Sequence, residues 1–452
     1  MTPILKWSIF VGMAGFLFGF DTAVISGADK PIQELWGLSD LAHGLFIMSM
    51  ALWGTVVGAI FGNWPTDRLG RRTTLLLIGV LYFVSAVGSA LATDPFWFSI
   101  FRLIGGFGVG MSSVVAPTYI SEIAPAHRRG QLVALYQFNV VFGIFMAFVS
   151  NAILGSLLGD DAWRWMVGVE AVPAFIYTVL ILQVPRSPRW LILQRDDDKS
   201  AAEVLQKADP GAKVDAQIAE IRTADTQDQQ AHSRFFSRRY RLLIVLAFLM
   251  AFFNQFTGIN FILYYAPRIL EAAQLGSSAA LLSTAGIGLI MVVFTMIGMA
   301  LIDRLGRRTL MYIGSVGYLI SLGVISRAFF TDNLGGPLVP LQLCLFVAAH
   351  GLSQGTVIWV FISEIFPNRE RARGQSVGSF THWFFAALIT LLTPWVLTTF
   401  HGGPVFAFFG FMMVLQVVFV AFLMPETKGV SLEELQRRLV PQDRERPDPA
   451  GG

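Results

Sequence analysis

Charge is scarce in this sequence. Only 14% of the 452 residues are Asp, Glu, Lys or Arg, against about 25% in an ordinary soluble domain, and that shortage excludes the soluble globular class. Cysteine is scarcer still: Cys344 stands alone, which excludes an intramolecular disulfide and argues against a cysteine-based metal site. It reads as a small apolar packing residue. The six histidines are scattered, with no metal-ligand spacing and no nucleophile–base pair, so neither an enzyme nor a cofactor is expected.

Apolar chain is what the sequence has in plenty, with 54% hydrophobic residues and a mean hydropathy of +0.60. Twelve runs are long enough to cross a hydrocarbon core of about 30 Å. They cover 7–28, 42–64, 73–93, 96–120, 131–155, 163–184, 242–273, 279–302, 309–331, 336–362, 375–399 and 402–424, called spans one to twelve. The first is too long for a signal-peptide core and no convincing small-x-small site follows it, so it is expected to be retained.

The net charge of +3 arises mainly in loops on one side. Arg68, Arg71 and Arg72 lie between spans two and three, and Arg128 and Arg129 follow span four. Arg304, Arg307 and Arg308 follow span eight; Arg369, Arg371 and Arg373 follow span ten. The positive-inside rule places these loops and both termini in the cytoplasm of a cell (inner) membrane protein. The basic balance therefore reports topology, and no nucleic-acid partner is implied.

The loops also repeat. DRLGRR at 67–72 returns letter for letter at 303–308, SEIAPAHRRG at 121–130 returns as SEIFPNRERARG at 363–374, and PRSPR at 185–189 is answered by PETKG at 425–429. Three ordered matches at nearly constant offset divide the chain into two six-helix halves. The expected units are 1–184, a linker at 185–241, 242–424, and a tail at 425–452. Val214, Ile218 and Ile221 have helical spacing in the polar linker, which predicts short amphipathic helices under the membrane rather than a separate domain. Halves related by an axis along the membrane normal point to a transporter that binds its cargo between them.

Three charges interrupt the first half. Counted from the outer ends of their spans, Asp21, Arg102 and Glu170 all lie about 9–10 Å deep, so they can meet and neutralise one another. One reading is a fold-stabilising cluster. The other is proton coupling, in which Arg102 controls the charge of Asp21 and Glu170 orients Arg102.

The stretch NQFTGINFILYYAP at 254–267 opens the second half with three carboxamides, Gly258 and two tyrosines. Amides that donate and accept, next to aromatic faces, suit a neutral polyhydroxylated ligand. On an ideal helix Gln255 and Asn260 point about 140° apart, so convergence requires a break at Gly258. Trp359, His382 and Trp383 taken singly read as packing residues.

GFDTAVISGA, the two copies of DRLGRR, RLIGGFGVG, YISEIAPAHRRG, NQFTGIN and PETKG occur in this order. With them the chain resembles, end to end, the sugar porters of the major facilitator superfamily, and among these the bacterial xylose and proton symporters. The resemblance implies an all-α membrane protein of twelve transmembrane helices, with the proton handled by the first half and the sugar mainly by the second. It implies a sugar site of Gln137, Gln255, Asn260, Tyr264 and Trp359, with Asn254, His382 and Trp383 as neighbours, and Asp21 as the proton-coupling residue paired with Arg102. It implies an inner gate of salt bridges among Arg71, Arg72, Glu122, Arg129, Arg307, Arg308, Glu364 and Arg373. Family uniporters typically carry a neutral residue at the position of Asp21.

The chain departs from the family at several points. Ile144, Met291 and Ala386 stand where glutamine or asparagine is usual, which makes the site drier. Gly355 is followed by Thr356 in place of the usual proline, and Arg186 replaces the usual glutamate of the PESPR loop. The expectation is proton-coupled import of a monosaccharide, pentose or hexose, by a functional monomer in the lipid bilayer. A facilitative uniporter and a non-transporting sugar sensor are the alternatives.

Overall fold

The computed structural model describes residues 2–125, 128–209, 211, 213–230, 235–367, 370–430 and 432–439. Arg369 and the side chain of Arg129 lie outside the described residues. All regular structure among those residues is helical. Among the described residues, eleven helices are long and apolar enough to cross a membrane, or twelve when Asp40–Met48 and Met50–Phe61, bent by 43°, count as one span.

Span one is Pro3–Trp36, span three Arg71–Leu91, span four Pro95–Ile123 and span five Arg129–Leu158. Span eight is Ser277–Leu305, span nine Arg307–Phe330, span eleven Arg371–Phe400 and span twelve Gly402–Phe422. Spans six (Ala162–Gly168, Ala171–Ile181), seven (Arg241–Phe256, Ile259–Ala272) and ten (Leu338–Leu352, Gln354–Ile365) are interrupted, like span two. Span five packs against span eight and span two against span eleven, so the two halves meet along both seams.

The ends agree with the sequence reading to within a few residues, except in span one. Asp29 and Lys30, which follow the expected end at 28, are both partnered, and the helix runs on until Gly37 ends it at φ 56. Gly37 is a left-handed cap whose N–H turns back to the carbonyls of Gln33 and Glu34. The sequence count therefore placed the outer end of span one too early, and with it the depth of Asp21.

The DRLGRR repeat is a repeat of backbone geometry as well. Gly70 (φ 85, ψ 155) and Gly306 (φ 91, ψ 163) each end one helix and open the next. Only glycine adopts this conformation without strain. A Cβ would also meet the Trp190 ring at 2.9 Å in the first half and the Glu426 carboxylate at 2.8 Å in the second.

The linker forms helices Pro188–Arg195, Asp198–Ala208 and Val214–Gln230. Ile218 and Ile221 pack on a small buried cluster of Trp190, Leu191, Ile192 and Ala201, as the spacing predicts. Arg222 joins these helices, 2.5 Å from Asp196 and 3.0 Å from Asp198.

Candidate functional site

The three intramembrane charges of the first half converge. Arg102 Nη1 donates to Asp21 Oδ1 at 2.5 Å, and Nη2 donates to the Asp21 carbonyl at 3.2 Å. Both side chains are sealed, at 1% and 2% exposure. Glu170 sits at the interruption of span six, equally buried, and acts electrostatically on both. Its Oε1 has no hydrogen-bond partner among the described residues. Two carboxyls around one guanidinium are neutral only when one proton is also present.

Tyr264 belongs to this neighbourhood. It comes from span seven in the other half, is 1% exposed, and lies within electrostatic reach of Asp21 and Arg102. It thus joins the charged cluster to the amide stretch.

In that stretch the helix breaks where the ideal geometry requires it. The first segment ends at Phe256, Gly258 takes φ 89 and ψ 16, and a new helix starts at Ile259. Across the break Asn260 Nδ2 donates to Gln255 Oε1 at 2.8 Å, and Gln255 Nε2 donates to Asn254 Oδ1 at 3.0 Å. Gln255 Nε2 also lies 3.0 Å from His382 Nδ1 and 3.2 Å from Nε2. The His382 ring packs between Trp359 (5.2 Å) and Trp383 (4.7 Å), and Trp383 reaches across to Phe18 of span one at 5.4 Å. Amides, imidazole and two indoles thus form one wall, which can bind hydroxyls and C–H faces together. Gln137 is half-buried on span five and, among the described residues, makes no hydrogen bond to this set. Ile144, Met291 and Ala386 are buried apolar positions.

The arginine-rich loops build one cage in each half. Arg71 Nη2 is 3.0 Å from Glu122 Oε1, Ser187 Oγ donates to Glu122 Oε2 at 2.5 Å, and Arg72 Nη2 donates to the Leu182 carbonyl. In the second half Arg307 Nη2 is 2.6 Å from Glu364 Oε1, Thr427 Oγ1 donates to Glu364 Oε2 at 2.6 Å, and Arg308 Nη2 donates to the Ala421 carbonyl. Each cage lies within its own half, so these pairs do not bridge the halves in this state. Arg373 pairs with Glu370 at 3.2 Å.

The cages differ at Arg186. Its counterpart Glu426 accepts the backbone N–H groups of Arg307, Arg308, Thr427 and Lys428. Burial pushes the Glu426 carboxyl up, but these four donors outweigh it and hold it below the usual value. Arg186 instead lies over the Trp190 ring at 5.5 Å, so the first half lacks this cap.

Sequence reasoning missed the seal on the opposite face. Arg268 Nε of span seven is 2.7 Å from Asp29 Oδ2 of span one, and Lys30 pairs with Glu271. Buried His43 of span two adds Nε2 at 2.7 Å from Asp29 Oδ1. A cavity of about 640 Å³, lined in part by Lys30, Gln33, Asp40, Arg268 and His401, adjoins this seal. The signal in the sequence was a charged pair at the outer end of span one and another at the corresponding end of span seven.

Two six-helix halves, broken helices around a polar wall, and paired loop cages define a secondary transporter of the major facilitator architecture. The chain belongs to the sugar (and other) transporter family, whose model matches residues 7–439. It is 33% identical to the D-xylose-proton symporter of Escherichia coli K12 (97% of this chain, 96% of the relative). It is 35% identical to the arabinose-proton symporter of Bacillus subtilis (96% and 94%) and 36% to a glucose transport protein of Synechocystis (96% and 97%). Among solved structures, the inward-open form of the E. coli xylose transporter XylE matches with TM-score 0.84 at 32% identity (96% of this chain, 100% of that chain). The complex of the proton:xylose symporter XylE with 6-bromo-6-deoxy-D-glucose matches at 0.78 (33% identity, 96% and 99%).

Proposed function

We propose that this protein imports a monosaccharide, a pentose or hexose of the xylose, arabinose or glucose type, together with a proton. The reading rests above all on the buried Asp21–Arg102 pair, set in the first half and within electrostatic reach of Tyr264 from the sugar-facing segment of the second. The proton resides on Asp21. When Asp21 is protonated its hold on Arg102 is weakened, and when it is ionised the pair locks. Gln255 and Asn260 bind sugar hydroxyls, with Asn254, His382 and Gln137 as further polar contacts. Trp359 and Trp383 pack on the C–H faces of the sugar, and Tyr264 passes its presence to the charged cluster.

The positive-inside rule applied to the loop arginines supports a cytoplasmic position for the cages and both termini, in an inner-membrane protein. The sealed face is then the outer one, and the state is inward-facing, in keeping with the higher TM-score to the inward-open XylE. In the outward-facing state the loop cages of the two halves come together as the inner gate. The functional unit is one chain, with 1–184 carrying the proton, 242–424 carrying most of the sugar contacts, and 185–241 and 425–452 as linker and tail.

The test is uptake of D-xylose, L-arabinose and D-glucose by proteoliposomes under an inward proton gradient. One of them accumulates above equilibrium, and a protonophore abolishes the excess. Equilibration unaffected by the protonophore assigns the protein to facilitative uniport instead.

A further inference from the structure

We propose that Gln354 is a positioning residue for transport, linking the amides of the sugar wall to the interruption in span ten. The inference rests on the sugar reading of Gln255 and Asn260 and goes a step beyond it.

The observation is a single file of hydrogen bonds. Asn260 donates to Gln255 and Gln255 to Asn254; Asn254 Nδ2 donates to Gln354 Oε1 at 3.3 Å. Gln354 Nε2 then donates to Gln416 Oε1 at 2.8 Å, and Gln416 Nε2 to Ser315 Oγ at 2.9 Å. Every donor points the same way, so each bond polarises the next. The members are at most 7% exposed and come from spans seven, ten, twelve and nine.

Gln354 is the first residue after the interruption. Ser353 leaves helical geometry at φ −115 and ψ −97, so span ten bends without a proline. Thr356, which stands at the usual proline position, donates its hydroxyl to the Gly351 carbonyl at 2.7 Å, satisfying an acceptor that the break has freed. Asn254 Nδ2 also approaches the Gln354 backbone carbonyl, at 3.4 Å. The interruption of span seven at Gly258 and that of span ten at Ser353 are therefore joined through one amide pair, and a change in either reaches the other.

An apolar core of the same shape would be about as stable as this file of amides, so stability alone gives no reason for it. A sugar hydroxyl that takes the place of the Asn260–Gln255 bond changes the first link. The Asn254–Gln354 link then alters the bend of span ten, whose lower segment carries Trp359 against His382.

The experiment compares Gln354→Met and Gln416→Met with wild type in sugar exchange across proteoliposomes, using D-xylose, L-arabinose and D-glucose without a proton gradient. Methionine keeps the length and removes the hydrogen bonds. Gln354→Met is expected to lower maximal exchange at least about tenfold while KM stays within about threefold, and Gln416→Met to stay within about threefold on both. Should Gln354→Met lose its thermal stability, Gln354→Met/Gln416→Met restores an apolar pairing and is expected to recover folding without recovering exchange. Wild-type exchange in either form of the variant, or equal losses in affinity and rate, overturns the inference. A wild type that exchanges sugar but ignores protons overturns the symport reading alone.

Discussion

Arg268 and Asp29 meet at 2.7 Å across the seam between the halves, with Asp29 2% and Arg268 12% exposed. They belong to spans seven and one, and His43 supports Asp29 from behind. The face opposite the arginine-rich loops is held shut by a charged pair that has little access to water.

Removing one partner of such a pair leaves a buried charge unmatched, so Arg268→Ala shifts the sugar-free protein toward the state open on that face. A shift of about 1 kcal/mol is a fivefold change in population. In a Cys344→Ser background, a cysteine at the buried position Ala28 is labelled from outside by an impermeant maleimide about fivefold faster or more. Unchanged labelling argues against the pair as a closing contact.

Glu426 gives a pH dependence with a definite sign. Its carboxyl is held below its usual value in the folded state. Its contribution is therefore full above the unfolded value and is lost as pH falls through the lower folded value. Glu426→Gln is expected to lower stability at pH 7 by a small amount, about 0.5–1 kcal/mol after allowance for solvent screening, read from the thermal midpoint. The gap between variant and wild type closes as pH drops below about 4.5. A gap that stays constant with pH removes the charge from the explanation.

Gly258 holds a left-handed conformation at the break of span seven, and a Cβ there would lie 3.1 Å from the Phe409 ring. Gly258→Ala costs about 1–3 kcal/mol of strain and disturbs the convergence of Gln255 with Asn260. Apparent affinity for the transported sugar should fall at least about fivefold, read as KM in exchange assays. An unchanged KM separates the break from sugar binding.

Much of this was legible in the sequence because it had a period or a cost. The DRLGRR loops repeat letter for letter, and Gly70 and Gly306 repeat in φ and ψ. Asp21 and Arg102 were visible as charges at membrane depth, although the outer end of span one was placed too early. Gly258 was visible because Gln255 and Asn260 converge only across a break. Asp29, Lys30 and Arg268 stood out as charges at span ends, but their pairing was not legible, since charges near a span end ordinarily face water and only the tertiary contact buries them. Gln354 and Gln416 gave no signal either: a single amide in an apolar helix looks the same whether it packs alone or extends a chain of bonds from another span.

The central claim is that Asp21 carries the coupled proton. Asp21→Asn keeps the shape and removes the exchangeable charge, so the most direct measurement is sugar accumulation by Asp21→Asn proteoliposomes under an inward proton gradient, set beside sugar exchange with no gradient. Accumulation above equilibrium should be lost while exchange stays within about threefold of wild type; undiminished uphill uptake would take the coupled proton away from Asp21.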